Sequence, residues 1–500
     1  MGIIIRQSIK GTIVTYAGSF LGFITTMLIA TRWLTEEEIG LARVLLEAAT
    51  LLSYLAQLGI TNSAVRFFPR FKAMGARRGG FFFYLMVIPL VGTLVAIPLY
   101  LLFRGPIAAY FQERSALFVG YVDWIIPLMF FLTYIAVFEI YANLLMRIVI
   151  PRFVREILIR VLVAGVYILY GTRVINLEGF VIAYVLVHGI AMLVNFWYIT
   201  RLGALSWRPE RQAITADTRR EYLRYTAYLM LGVIGGGIAA RLDIFMISGM
   251  QGLAAGGIYS IAFYMAAIIE IPSRSITAIS TPVAADALQA KNFAKANELY
   301  KKVSLHQLII GGLVLLLLWA NIDNIYAIIP RGDTFRHGKW VVLLVALSRV
   351  IVLFLGFGYT LLSFSRHYRW ALAFTFITVA ITLLANYLLI PPLGITGAAL
   401  ATLLATVITY ALQQWLVFKR LKANPYTRQT ARCLLLLLAL FGLNYILPRL
   451  ENPWLDAITR TTILAIAALF TIPFARLSSE LDHITCQARR HLKTKPPRRD

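Results

Sequence analysis

The residues of this sequence with chemistry to do are charged side chains set inside long apolar runs. Arg349 stands ten residues into the run 339–362, and Arg241 and Asp243 lie late in the run 224–248. Glu47, Glu139 and Glu270 occupy the runs 44–65, 117–143 and 255–279, and Arg66 follows the first of these. Where such runs cross a bilayer, a central charge costs roughly 2.5–3.5 kcal/mol on insertion scales unless it meets a partner or a hydrated cavity. An arginine there suits an anionic group. Its planar fork gives parallel hydrogen bonds to phosphate and stays charged at any relevant pH.

Spacing limits the partners. Arg241 and Asp243 are two apart, so on one continuous helix they point about 200° from each other and cannot share a face. Arg349 has Val345, Ala346, Val352 and Leu353 at the positions where a same-helix acid would stand. Two readings stay open for these three residues. One is an interhelical ion pair that fixes packing, for instance Asp243 with Arg349; the other is an arginine facing a hydrated central cavity and an anionic substrate group. Arg43 with Glu47, and Glu270 with Arg274, have the i,i+4 spacing of pairs that neutralise themselves. Gly18 with Gly22, and Gly232 with Gly236, have the small-xxx-small spacing of close helix contacts. Gly235-Gly236-Gly237, Pro272 and Pro127 are positions at which spans could bend.

The elements that must position these residues are membrane helices. Of 500 residues, 59% are hydrophobic and 14% charged, with a mean hydropathy of +0.75. Soluble chains run near 45–50% apolar and about 25% charged, so soluble enzyme classes are excluded. Runs long enough to span the bilayer core are expected at 11–31, 44–65, 81–103, 117–143, 154–172, 177–200, 224–248, 255–279, 303–322, 339–362, 370–390, 395–418, 431–448 and 457–475. The first is expected to remain as an uncleaved span.

The formal charge of +25 is distributed by topology. With the N-terminus inside, and with span ends counted with the segments they adjoin, the cytoplasmic side holds 36 of the 48 Lys and Arg residues, the outer side 10, and two, Arg241 and Arg349, lie deeper in spans. That is the positive-inside pattern with both termini cytoplasmic, so the charge does not point to nucleic acid. The basic tail Arg489 to Arg499 fits the same rule, or contacts with anionic lipid headgroups. Cys433 and Cys486 imply no disulfide framework. The histidines are scattered without metal-ligand spacing, and the sequence has no Walker loop, so no cofactor, metal or ATP coupling is expected. The outer loops are too short to build an enzyme site, which puts the activity between helices.

Shifting the chain by 217 positions superposes Thr25 to Leu45 on Leu242 to Ala262 and Gly40 on Gly257. Such a repeat with a cavity between halves is the usual build of a secondary transporter. The expected fold class is an all-α polytopic membrane protein of about fourteen transmembrane helices, two six-helix bundles related by the repeat plus two C-terminal helices. The expected divisions are 1–205, 206–425, 426–477 and a basic cytoplasmic tail, 478–500.

The opening GTIVTYAGSFLGFITTMLIATRWLTEEEIGLARVLLEAATLLSYLAQLGITNSAVRFFP resembles the start of polysaccharide exporters of the multidrug/oligosaccharidyl-lipid/polysaccharide flippase superfamily. RLDIFMISGMQGLAAGGIYSIAFYMA, with its Arg-x-Asp before a Gly-x-Tyr turn (Gly257, Tyr259), and TPVAADALQAKNFAKANELYKK are similar to later segments of the same family. The resemblance implies a flippase in a bacterial inner membrane. It would move a polyprenyl-diphosphate-linked oligosaccharide, such as an O-antigen or capsule unit of lipopolysaccharide and polysaccharide biosynthesis, from the inner to the outer leaflet. It carries Arg241 and Asp243 over as cavity residues; Arg349, Arg66, Glu47, Glu139 and Glu270 are candidates from depth or position alone. Partners implied are the lipid-linked oligosaccharide, membrane lipids and glycan-assembly proteins, with the chain a monomer. The competing expectations are a cation-coupled multidrug antiporter on the same fold and a membrane glycan polymerase or ligase.

Overall fold

A computed structural model describes residues 3–72, 80–203, 205 and 216–474. The C-terminal tail from 475 and the segments 73–79 and 206–215, where basic cytoplasmic stretches were expected, lie outside the described residues. The described residues form helices and no strands. This is a multi-pass, all-α membrane protein.

Eleven helices are long and apolar enough to cross a membrane, and twelve when one bent pair counts as a single span. The expected count of fourteen is not reached on that measure, for three local reasons. The helix Tyr368–Leu421 carries two expected spans, joined across Pro391, Pro392 and a non-helical Gly394 with φ 58°. The fifth expected span runs through Val149–Phe153, a π-helical turn Val154–Leu158 and Ile159–Gly171, and its Arg155, Glu156 and Arg160 dilute the apolar run. The seventh is the bent pair: Tyr225–Ala239 and Leu242–Gln251 meet at 42°.

Local sequence explains where helices start. In Glu36–Ala56, Thr35 and Glu38 form a capping box: the Glu38 amide donates to the Thr35 hydroxyl at 3.3 Å, and the Thr35 amide donates to the Glu38 carboxylate at 2.8 Å. Glu36, Glu37 and Glu38 place negative charge on the positive end of the helix dipole. Asn176 caps Leu177–Arg201 and Asn292 caps Phe293–Ala320 by accepting from the N3 amide.

The chain folds as two compact units. The first comprises residues 1–261 with 386–395, and the second 262–385 with 396–500. The core of the first is aromatic: Phe67, Phe68, Phe81, Phe82, Phe138 and Tyr141 are all buried, and Phe68 packs on Phe81 and Phe82 on Tyr141 at ring separations of 5.4 and 5.2 Å. This core pins the amphipathic helix Ile60–Lys72, which separates from Glu36–Ala56 at Leu58 and Gly59, both at positive φ.

Gly40 and Gly257 make a close crossing inside the first unit. A Cβ on Gly40 would lie 2.0 Å from the Leu253 carbonyl oxygen, and one on Gly257 would lie 1.9 Å from that of Glu36. Leu253 is Glu36 shifted by 217, as Gly257 is Gly40. The contact is thus reciprocal under the shift read from the sequence. Elsewhere the glycine spacing is only partly used for packing. Gly18 lies against Glu156 and Gly237 against the Tyr54 ring, whereas Gly236 faces open space.

The second unit is centred on buried Tyr300, whose hydroxyl donates to Gln414 at 2.6 Å, with Phe357, Leu361 and Leu416 around it. Its last two helices, Arg428–Ile446 and Pro453–Phe474, are fastened by Arg460. This buried guanidinium donates to the Asp456 carboxylate at 2.7 Å, to Asn444 at 3.1 Å and to the carbonyls of Leu447 and Pro448. The connection between spans nine and ten is held by Asp323, which bridges Lys339 at 2.7 Å, Arg336 at 3.1 Å and Arg449 at 3.2 Å.

Candidate functional site

Each unit contains a chamber, and three of the seven charged residues singled out from sequence line one, Arg241 and Glu139 in the first and Glu270 in the second. The chamber of the first unit has a volume of about 570 Å³ and is walled by Tyr54, Gln57, Asn62, Glu139, Asn143 and Arg241, among others. It forms where helices are interrupted. Gln57 stands at the break after Glu36–Ala56, buried, and accepts from the Thr61 hydroxyl at 2.8 Å. Arg241 stands at the break before Leu242–Gln251, with a non-helical backbone of φ −126°, ψ −7°. The sequence reading placed Arg241 within one continuous helix and offered the Gly235–Gly237 run as a bend; the break falls just beyond it, at Ala240 and Arg241.

The interruption sends Arg241 and Asp243 to separate partners. The Arg241 guanidinium forms a close ion pair with Glu47 and lies 5.4 Å from the Tyr54 ring centroid. Glu47 also holds Arg43 at 2.6 Å. The i,i+4 pair expected from spacing therefore exists, but it does not exhaust the carboxylate: one buried acid serves two arginines. Asp243, also buried, accepts from Tyr259 at 2.7 Å and from Asn386 at 2.8 Å. Glu139 lines the same chamber as Arg241 and pairs with Arg155 at 2.9 Å. Arg66 is exposed one turn beyond Asn62, with its guanidinium 4.3 Å from the Tyr225 ring centroid, a cation–π stack.

The chamber of the second unit has a volume of about 770 Å³; Glu270, Arg274, Thr277, Gln307, Tyr359 and Tyr410 are among its walls. Here the sequence expectation is corrected. Glu270 ends a 3₁₀ turn, Ile268–Glu270, and Pro272 precedes the helix Ser273–Gln289. The span is broken at the point where Glu270 and Arg274 would have paired as i,i+4 neighbours. Glu270 binds Arg349 instead, at 2.7 Å, and the Arg349 guanidinium lies 4.8 Å from the Phe263 ring centroid. Arg349 thus meets an acid from another helix, as its surroundings required, and that acid is Glu270 where the packing alternative had suggested Asp243.

The seven candidates therefore resolve into Glu47 with Arg241, Glu270 with Arg349, Glu139 across the first chamber, Asp243 in a buried hydrogen-bonded cluster, and Arg66 stacked on Tyr225. Sequence reasoning ranked only charges and so missed Tyr54, Gln57, Asn62, Asn143 and Asn386. The available signal was the presence of amides in otherwise apolar runs, which need partners for the same reason charges do. Chemically, both chambers are walled mostly by apolar surface, into which guanidinium, hydroxyl and amide groups are set beside ion-paired carboxylates.

The family of polysaccharide biosynthesis proteins matches residues 5–288. The chain belongs to that family. A curated relative, an uncharacterized membrane protein of Methanocaldococcus jannaschii, is 22% identical over 401 residues, covering 77% of this chain and 78% of its own. Among solved structures, the lipid II flippase MurJ in an inward closed conformation superposes with a TM-score of 0.74 at 14% identity, covering 92% of this chain and 97% of its own. A MOP superfamily transporter from Pyrococcus furiosus superposes with a TM-score of 0.55 at 14% identity, over 84% and 96%. An outward-facing multidrug resistance MATE family transporter gives 0.54 at 14% identity, over 84% and 95%. These likenesses establish a MurJ- and MATE-like fold.

Proposed function

We propose that this member of the polysaccharide biosynthesis family is a flippase, which moves a polyprenyl-diphosphate-linked oligosaccharide from the inner to the outer leaflet by alternating access. The observation that carries the proposal is the pair of chambers among membrane helices, each with an arginine at its wall: Arg241, held by Glu47, in the first, and Arg274 in the second, where the wall residue Glu270 binds Arg349. Arg241, Arg349 and Arg66 supply the cationic field for a diphosphate. Glu47, Glu139, Glu270 and Asp243 orient cations and helices around it. Such a protein does transport rather than catalysis, acts as a monomer in a bacterial inner membrane with both termini cytoplasmic, and meets membrane lipids and glycan-assembly proteins there. An O-antigen or capsule unit fits this role, and the division into 1–205, 206–425 and 426–477 describes its two bundles and the added helix pair.

An antiporter of organic cations would need an acid free to take the cation. Glu139 and Glu270, the acids on the chamber walls, are each already bound by an arginine, which favours an anionic cargo. The test is reconstitution in proteoliposomes with a polyprenyl-diphosphate-linked glycan on one leaflet and a membrane-impermeant glycan-oxidising or lectin probe on the other. Glycan should reach the probed leaflet at a rate above protein-free vesicles. Equal rates, or uptake of cationic dyes in place of glycan exposure, would refute the proposal.

A further inference from the structure

We infer that the chamber of the second unit binds an oxyanion carried on a polyhydroxylated ligand, with Arg274 as the side chain that takes the anion. The inference rests on the flippase reading and adds to it a residue and a division of labour along one helix face. Arg274 was expected to be neutralised by Glu270. The break at Ile271 and Pro272 and the capture of Glu270 by Arg349 at 2.7 Å remove that partner. Arg274 is exposed and lines the chamber; among the described residues none forms an ion pair or side-chain hydrogen bond with it. Arg241, at the wall of the first chamber, and Arg349, bound to a wall residue of the second, each have a glutamate partner. Arg274 alone among these three keeps its whole fork for a ligand.

Its neighbours along the helix have the hydrogen-bonding capacity that sugar hydroxyls require. Ser273, Thr277 and Thr281 fall at i, i+4 and i+8, on one face, and all three line the chamber. The Ser273 hydroxyl donates to the Glu270 carbonyl at 2.7 Å and that of Thr281 to the Thr277 carbonyl at 2.8 Å, which leaves their lone pairs to accept. Thr277 accepts from the Gln307 amide at 3.0 Å, which leaves its proton to donate. An accept–donate–accept row beside an unengaged guanidinium matches a ring that bears hydroxyls next to a phosphate or carboxylate. At about 770 Å³ the space is within the roughly 300–1,000 Å³ of small-molecule sites.

The oxyanion has two sources, the diphosphate of the carrier lipid or the carboxylate of an acidic sugar. Full-length protein in phosphatidylcholine nanodiscs, as wild type, Arg274→Gln and Arg274→Lys, would be titrated with sugar-free polyprenyl diphosphate, with polyprenyl diphosphate bearing a neutral disaccharide, and with a free uronate-containing disaccharide. Arg274→Gln should weaken binding by about tenfold or more, the loss expected for a hydrogen bond to a charged group, and Arg274→Lys should restore most of it. Loss toward both diphosphate probes names the carrier; loss toward the uronate alone names the sugar. Thr277→Val should weaken the two disaccharide probes severalfold and spare the sugar-free one. If wild type binds and Arg274→Gln binds every probe equally well, the inference is overturned, the flippase reading stands, and Arg274 is a mark of the positive-inside rule. If wild type binds none of the probes, the inference falls together with the reading on which it rests.

Discussion

The two chambers solve the same electrostatic problem differently. In the first unit one buried glutamate, Glu47, is shared by Arg43 and Arg241, and the nearby helices cross at glycines that leave no room for a methyl group. In the second unit Glu270 and Arg349 form a simple pair, each about a quarter exposed (29% and 25%), beside a larger space with Arg274 unengaged. The first arrangement is a framework whose charges are committed to one another. The second keeps charge and hydroxyls in reserve. Buried ion pairs add little net stability when formed but cost much when one partner is removed, so the same substitution should have unequal effects in the two units.

The largest effect is expected from Glu47→Gln, which leaves two guanidiniums without their carboxylate. Unfolding in nanodiscs should cost about 3–5 kcal/mol less than for wild type, and an unchanged melting curve would erase the contrast between the units. Next come the glycines. Gly257→Ala and Gly40→Ala should each destabilise by about 1–3 kcal/mol, as overpacked substitutions do, whereas Gly236→Ala, which meets nothing within 4 Å, should melt like wild type. Arg349→Gln should cost about 1 kcal/mol or less in stability, because its pair is partly exposed, yet lower glycan translocation in the proteoliposome assay. A stability loss matching that of Glu47→Gln would show the second pair to be framework as well.

The smallest effect concerns pH and lies outside the spans. Burial pushes the Asp323 carboxyl up, but the Lys339 hydrogen bond and the charges of Lys339, Arg449 and Arg336 outweigh it and hold the pKa below the usual aspartate range. A depressed folded-state pKa gives stability that is present above the unfolded value, near 3.9, and is lost as pH falls through the folded one. The melting temperature of wild type should therefore drop, as pH falls below about 4, by slightly more than that of Asp323→Asn. Parallel curves would remove Asp323 from the account of the connection between spans nine and ten.

Legibility in the sequence followed helix continuity. Apolar run length located most of the spans, because it is a property of unbroken helices, whereas the 217-residue shift made Gly40 and Gly257 equivalent positions without showing that they touch. Arg43 and Glu47 pair as their spacing implies because Glu36–Ala56 is regular throughout. The same rule failed for Glu270 and Arg274, where Pro272 interrupts the helix between them. It was silent on Arg241 and Glu47, whose meeting depends on packing between helices 194 positions apart in the chain. The acid that answers Arg349 was likewise beyond local spacing. The membrane demanded a partner, but only tertiary structure could name it.

The reciprocal crossing has a consequence for descent. A contact in which Gly40 meets Leu253 while Gly257 meets Glu36 is isologous: each side presents the same patch to the other, as two copies of one chain do about a two-fold axis. A half-length protein carrying only the first copy of this motif would already own a self-complementary dimer joint. Joining two such genes would inherit the joint intact, and each glycine would thereafter constrain its counterpart 217 positions away.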